Sequence, residues 1–371
     1  MSRTVRGVVP RPRRGEGGPW LVADVGGTNA RFALVDGPDG VPYRVRSLPT
    51  RDHAGLAEAA AAYLGRHARD VRPSAACLAV AGPVTGGTFR LTNAGWPKGT
   101  PEEVRAHLGV PHLEIVNDFE ALALALPRLG EDDLVPVGGR RPSADGTVAV
   151  VGPGTGLGVA GLVPTPSGWV PLPGEGGQVD VPAATDRELE IARLLRAEHG
   201  SATAELLLSG GGLSRLHRYL AALDGAAAEP LTAKEICERP GEPRCREALL
   251  MFCALLGSLA GNVALTLGAR GGVFLGGGIL PRIADVLRDS EFRARFETKP
   301  PVEDYLRGIP TALIVHSGPA LVGATLRLAQ SLAPRDLPAP DLPAPDLPAQ
   351  GPPARARSAK TPPAPDPLEP A

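Results

Sequence analysis

Short apolar runs and longer amphipathic stretches alternate along most of the chain, the pattern of an α/β protein. "LVADV" and "RFALV" read as strands flanking the turn Gly26-Gly27-Thr28-Asn29. "GLAEAAAAYLGRHA" follows with helical spacing, and "AACLAVAGP" is a strand that stops at Gly82-Pro83. In Thr100-Pro101-Glu102-Glu103 a capping residue precedes a proline and a glutamate at the third helical position, so a helix starts there. "HLEIVNDF" is a strand ending at Asn117-Asp118, and "EALALALP" after it is helical. "GTVAVVGPGTGLGVAGLV" then repeats the strand, glycine turn, strand opening, and "GGVFLGGGILPR" reads as a buried strand, three glycines and a helix starting near Pro281. Two such openings predict two related halves with a ligand cleft between them.

The 371 residues suffice for two globular units, less the two ends. Residues 1–19 are basic and broken by proline and glycine, and residues 333–371 contain the repeat "DLPAPDLPAPDLPAQ"; both predict disordered tails. Charged residues make up 21% and the net charge is −1, which leaves no electrostatic footprint for nucleic acid or an anionic membrane. The four cysteines form no C-x-x-C pair, so no zinc ribbon or disulfide framework is expected, and a reducing cytoplasm fits best. Ala248 to Ala269 carries no charge over a length that could cross a bilayer. Its glycines, Asn262 and the lack of flanking basic anchors predict a buried helix of a soluble domain instead.

A carboxylate in an apolar strand is costly without a partner, and Asp24 is one. The turn after it leads into a strand, unlike a P-loop or a dinucleotide fingerprint, which lead into a helix. Consecutive glycines nevertheless let backbone N–H groups converge on phosphate, with Thr28 and Asn29 adding donors. "GPGTGLG", residues 152–158, offers the same device from the second half. Asp24 then faces a hydrated Mg²⁺ on the phosphates, or else caps its own turn. Asp118 is either a helix N-cap or the base that phosphoryl transfer to an alcohol requires, with Asn117 beside it to bond a neighbouring hydroxyl. Glu175, among the glycines of "LPGEGGQVD", suits a polyhydroxylated ligand close to the backbone, and Glu205 either joins it or is a solvated helix charge. Gly276, Gly277 and Gly278 allow a flat adenine or ribose to approach, or make a plain strand-to-helix turn.

In order, "DVGGTNARFAL", "LTNAGW", "IVNDFEALA", "GPGTGLGVA", "LPGEGGQVD" and "GGVFLGGGI" resemble the bacterial glucokinase family, within the superfamily of sugar kinases, actin and heat-shock chaperones; the likeness covers about residues 20–330. The resemblance implies a two-domain actin-like ATPase (ribonuclease H-like) α/β fold with an interdomain cleft. Residues 20–128 plus 313–332 would form the small domain and 129–312 the large one. It further implies ATP and Mg²⁺, with Gly26, Gly27, Thr28 and Asn29 as first phosphate loop, Asp24 near the metal through water, and Gly154, Thr155 and Gly156 as second loop. Asp118 matches the catalytic base. Asn93, Asn117, Asp118, Glu175 and Glu205 match sugar-binding positions, and Gly276 to Gly278 the adenosine loop. The implied activity is glucose phosphorylation at the 6-hydroxyl by a cytoplasmic enzyme, commonly a homodimer. A kinase for another hexose or an amino sugar, a polyphosphate donor and a non-catalytic sugar sensor stay open. The family usually reads E-G-G-H where this chain has Gln178, which keeps a donor and an acceptor but loses the imidazole. The cysteine spacing does not match the zinc motif of a sister group, so no structural zinc is expected.

Overall fold

β-Strands with both faces covered need apolar residues throughout, and the runs Ala75–Val80 and Val148–Pro153 are buried at every position. They are interior strands of two mixed sheets in a computed structural model that describes residues 18–91, 93–139 and 146–333. The first sheet uses β1 (Trp20–Val25), β2 (Asn29–Val35) and β3 (Tyr43–Pro49), then, after helix α1 (Leu56–His67), β4 (Ala75–Val80). A two-stranded ribbon, β5 (Val84–Thr85) and β6 (Thr88–Phe89), leads to α2 (Pro101–Leu108) and β7 (Leu113–Asn117). Helix α3 (Asp118–Ala125) follows β7 without a break. The second sheet uses β8 (Leu134–Gly138), β9 (Val148–Pro153), β10 (Leu157–Thr165) and β11 (Gly168–Gly174). After α4 (Asp186–His199), α5 (Gly210–Leu223), α6 (Ala233–Glu238) and α7 (Pro243–Leu267) come β12 (Gly272–Leu275), α8 (Ala284–Asp289), α9 (Phe292–Glu297), α10 (Glu303–Arg307), β13 (Thr311–Ile314) and α11 (Pro319–Leu332).

The sheet orders are β3-β2-β1-β4-β7 and β11-β10-β9-β12-β13, the latter extended by β8 at its edge. In each, the first three strands pair antiparallel and the next two join in parallel. The two related halves expected from the repeated glycine-turn opening are therefore present as one topology used twice. The capping box at Thr100 forms as expected: its side chain accepts from Glu103 N at 3.2 Å while Glu103 accepts from Thr100 N at 2.9 Å. The helix expected near Pro281 starts later, since Leu280–Ile283 first make a 3₁₀ turn before α8.

One face of the first sheet packs on α1 and α2, and the other on α11. α3 lies between the sheets, giving Ala121 to the α11 side and Leu122, Ala123 and Leu124 to the face of β9, β10 and β12. The contact with α11 is backbone-close: a Cβ on Gly323 would sit 1.6 Å from the Ala121 carbonyl oxygen. The uncharged segment is α7, long and apolar enough to cross a membrane by length and composition, but 72% of its apolar window is buried against the rest of the protein. Gly257 and Gly261 let the backbone of α9 approach it, since a Cβ there would meet the Phe292 and Phe296 carbonyl oxygens at 2.1 and 2.6 Å. The lone deeply buried ion pair among the described residues ties Glu188 of α4 to Arg295 of α9 through two bonds of 2.8 and 2.9 Å. Gly18 and Pro19, read as the end of a tail, are held by Ser74, whose hydroxyl donates to Gly18 O and whose N–H donates to Pro19 O. Residues 1–17 and 334–371 of the expected tails lie outside the described residues.

Candidate active site

Ligands of open α/β sheets bind beyond the C-terminal ends of parallel strands, and the candidate residues gather there. Asp24 is the fifth residue of β1, in register with Arg31 on β2 and Ala79 on β4. Asn117 ends β7 and Asp118 opens α3. Gly276 to Gly278 follow β12. Asp24, Asp118 and the three glycines line one cavity of about 350 Å³, together with Phe119, Leu122 and the segment from Ile314 to Ala320.

The cap of α3 is Asn117, whose Oδ1 accepts from Phe119 N at 2.9 Å and Glu120 N at 3.3 Å. Its Nδ2 donates to Gly82 O at 3.1 Å, which joins the end of β7 to the loop after β4. Asp118 is therefore not the cap, and its carboxylate, which accepts one bond from Phe119 N at 3.0 Å, is free to face the cavity. Burial pushes its pKa up from 3.8 to about 7, helped by the charge of Asp24 and, more weakly, that of Glu175. Burial raises Asp24 as well, with Arg31 opposing. Asp24 does not cap its own turn: that turn is closed by Gly26 N donating to Asn29 O at 2.9 Å, and no hydrogen bond to the Asp24 carboxylate occurs among the described residues.

The first glycine turn is pinned by Thr50, whose hydroxyl donates to Gly27 O at 2.7 Å and whose N–H donates to Thr28 O at 3.0 Å. Asn93 lies against it, because a Cβ on Gly27 would fall 2.6 Å from that of Asn93. Thr28 and Asn29 are exposed at the tip. In the second turn Gly154 N donates to Gly156 O at 2.8 Å and Thr155 is exposed. Glu205 holds this turn: its Oε2 accepts from Leu157 N at 2.9 Å, and a Cβ on Gly156 would meet that oxygen at 2.5 Å. The other oxygen accepts from Gln178 Nε2 at 2.9 Å. Gln178 thus reaches the carboxylate through its amide, and Glu205, with both oxygens bonded, is not a solvated helix charge. Glu175 precedes the short turn Gly176–Gln178 without a side-chain capping bond and lies close enough to Asp118 to act on its charge. Gly26 to Asn29, Asn93, Asn117, Gly154 to Gly156, Glu175, Gln178 and Glu205 do not line the cavity itself.

Two features were not anticipated from the sequence. Phe119 wedges between the halves: a Cβ on Gly158 would fall 2.0 Å from its ring and one on Gly152 would fall 2.7 Å away, so those glycines make room for the ring beside Asp118. The segment His316-Ser317 lines the cavity, with His316 Nδ1 accepting from Gly318 N at 3.1 Å and Arg31 of β2 donating to Ser317 O. Gly152 and Gly158 carried a signal, being glycines inside a strand pattern; His316 carried none.

Twin sheets of one topology, with a carboxylate pair at the strand ends of the first sheet, are the architecture of the actin-like sugar kinases. A glucokinase from an Antarctic psychrotroph shares it, with a TM-score of 0.75 and 38% identity over 84% of this chain and 99% of that one. A ROK family glucokinase from Streptomyces griseus in complex with glucose and AMPPNP shares the fold at a TM-score of 0.59 and 21% identity, over 85% of this chain and 100% of that one. The family model described as Glucokinase matches residues 21–331, and the chain belongs to the glucokinase family. Curated glucokinases of Chromobacterium violaceum and Aromatoleum aromaticum are 48% and 46% identical, covering 88% and 85% of this chain and 93% and 96% of their own.

Proposed function

We propose that this protein transfers the γ-phosphoryl group of ATP to the 6-hydroxyl of D-glucose, with Asp118 as general base. The observation that carries the assignment of the base is the carboxyl of Asp118, raised to about 7 and free of the helix cap. A base whose pKa lies near the working pH is ionised often enough to act, yet basic enough to take the hydroxyl proton as the oxygen attacks phosphorus. Asn117 keeps the carboxylate on the first turn of α3, and Phe119 fixes that turn against the β9–β10 hairpin. Glu175, with Asn93, Asn117, Gln178 and Glu205 around it, orients the sugar hydroxyls. Glu205 also holds Leu157 N, so sugar and second glycine turn share one carboxylate.

The backbone N–H groups of Gly26 to Asn29 and of Gly154 to Gly156 cradle the phosphates, and Gly276 to Gly278 take the nucleoside. The donor set fits Mg²⁺: the Asp24 carboxylate faces the cavity with no hydrogen-bond partner among the described residues and has only Arg31 as a compensating charge. Asp24 would hold the ion through water, and Mg²⁺ when bound neutralises phosphate charge. We assign residues 20–128 with 313–332 to a small lobe and 129–312 to a large one; their closure would exclude water as a competing acceptor. The four cysteines are all buried and free, which suits a cytoplasmic enzyme, and we take the working form to be a homodimer.

Gln178, where relatives usually carry histidine, favours a second reading, a kinase for another hexose or an amino sugar. A coupled assay with MgATP on glucose, mannose, fructose and glucosamine, run on the wild type, Gln178→His and Asp118→Ala, decides between them. Robust wild-type turnover of glucose, lost in Asp118→Ala with nucleotide affinity retained, is the expected result. Glucose turnover by Gln178→His alone would move the wild type to another sugar, and near-normal turnover by Asp118→Ala would remove the proposed base.

A further inference from the structure

Away from the cleft, helices α5 and α7 bring three metal-ligating side chains together. His217 of α5, Glu242 just before α7 and Cys245 in the first turn of α7 each present one ligand-capable atom within 4.8 Å of the others. His217 is 3% exposed, and its Nε2 is wholly buried with no hydrogen-bond partner among the described residues. A buried imidazole nitrogen left without a partner forfeits its hydration with nothing in return, so folds keep few of them. The only other such side-chain atom among the described residues is Arg327 Nε. Cys245 is fully buried, while Glu242 is exposed and leaves the cluster open to solvent from its side. Glu242 occupies the N-cap position of α7 but its side chain makes no capping bond. The nearest cation to it, Arg239, stands 3.9 Å away and lies closer to Glu229, at 3.1 Å.

We propose that His217, Glu242 and Cys245 form a binding site for a divalent d-block cation, best matched by Zn²⁺. The ligand chemistry selects the ion: a thiolate and an imidazole suit Zn²⁺, whereas Mg²⁺ and Ca²⁺ take oxygen ligands. Three protein ligands leave the fourth tetrahedral position to water. In a zinc tetrahedron the ligand atoms stand about 3.3–3.6 Å apart, so atoms already within 4.8 Å of one another close by ~1 Å. On binding, the Cys245 thiol gives its proton to solvent and the sulfur bonds the metal. The cation then ties α5 to the start of α7. Because Gly210 N at the head of α5 donates to Gly154 O at 2.8 Å, the same tie steadies the second glycine turn. The pattern is invisible to cysteine arithmetic, which looks for paired cysteines, and it is distinct from the cysteine-rich zinc motif whose absence was expected.

The test uses the full chain, freed of metal by chelation and titrated with Co²⁺ and then Zn²⁺. The site predicts one equivalent of Co²⁺ with a thiolate-to-cobalt band in the near ultraviolet, displaced by Zn²⁺, unmoved by millimolar Mg²⁺, and accompanied by a higher Tm. Cys245→Ser should abolish the band and Cys253→Ser should keep it. Glu242→Gln, at an exposed position that leaves the fold intact, and His217→Gln should each weaken Zn²⁺ binding at least ~10-fold, since even residues behind the ligands contribute that much. A missing band, a band that survives Cys245→Ser, or unchanged affinity in Glu242→Gln overturns the proposal.

Discussion

Replacing Asp118 by asparagine should make the ligand-free protein more stable while removing its activity. The carboxyl titrates near 3.8 when exposed and at about 7 in the folded protein, so the fold prefers it protonated. The stability it permits is fully present below 3.8 and is lost as the pH rises through 7. A shift of that size amounts to ~4 kcal/mol at pH 8. Water in the cleft screens part of it, and about 2 kcal/mol is the expected gain of Asp118→Asn, whose amide is never charged. The difference should be small near pH 4, widen between pH 4 and 7 and stay constant above that range. Urea unfolding of the wild type and Asp118→Asn at pH 5 and pH 8, with equal m-values checked, measures it. If the variant is no more stable at pH 8, or if the difference does not change with pH, the carboxyl is not held near 7 by burial and Asp24. Few activity-destroying substitutions raise stability, and those that do mark a site where the fold maintains an unfavourable charge for function.

The same carboxyl sets the pH dependence of catalysis: kcat/KM for glucose should fall tenfold per pH unit below about 7, because only the ionised Asp118 accepts a proton, and a flat profile down to pH 5.5 would contradict this. Gly158→Ala places a methyl 2.0 Å from the Phe119 ring and should cost about 1–3 kcal/mol in unfolding free energy and at least ~10-fold in kcat; normal kcat with normal stability would show that the wedge does not position Asp118. Arg295→Ala leaves Glu188 charged and buried, and thermal unfolding should report a loss of about 3–5 kcal/mol, whereas a loss under 1 would mean water replaces the guanidinium.

Much of this protein was determined by local sequence. Strand, glycine turn and strand at residues 21–35 and again at 148–165 follow from apolar runs and the freedom of glycine, and the capping box at Thr100 is a signal within four residues. The carboxylates Asp24 and Asp118 stood out for the same reason, as charges where the pattern demanded apolar or capping residues. The division of labour at Asn117-Asp118 was decided by the tertiary structure: either residue can cap a helix, and the bond from Asn117 Nδ2 to Gly82 O, made by the neighbouring strand's loop, settles which one does. Glu205 has no sequence feature that separates it from a surface charge, and only the fold brings Leu157 N and Gln178 to its two oxygens. His316 and Ser317 reach the cavity from a segment nearly 200 residues after Asp118, and His217 meets Glu242 and Cys245 from a different helix. Periodicity and spacing report what a residue does to its neighbours in sequence, whereas desolvation, shared charge and ligand geometry depend on which distant segments close around it.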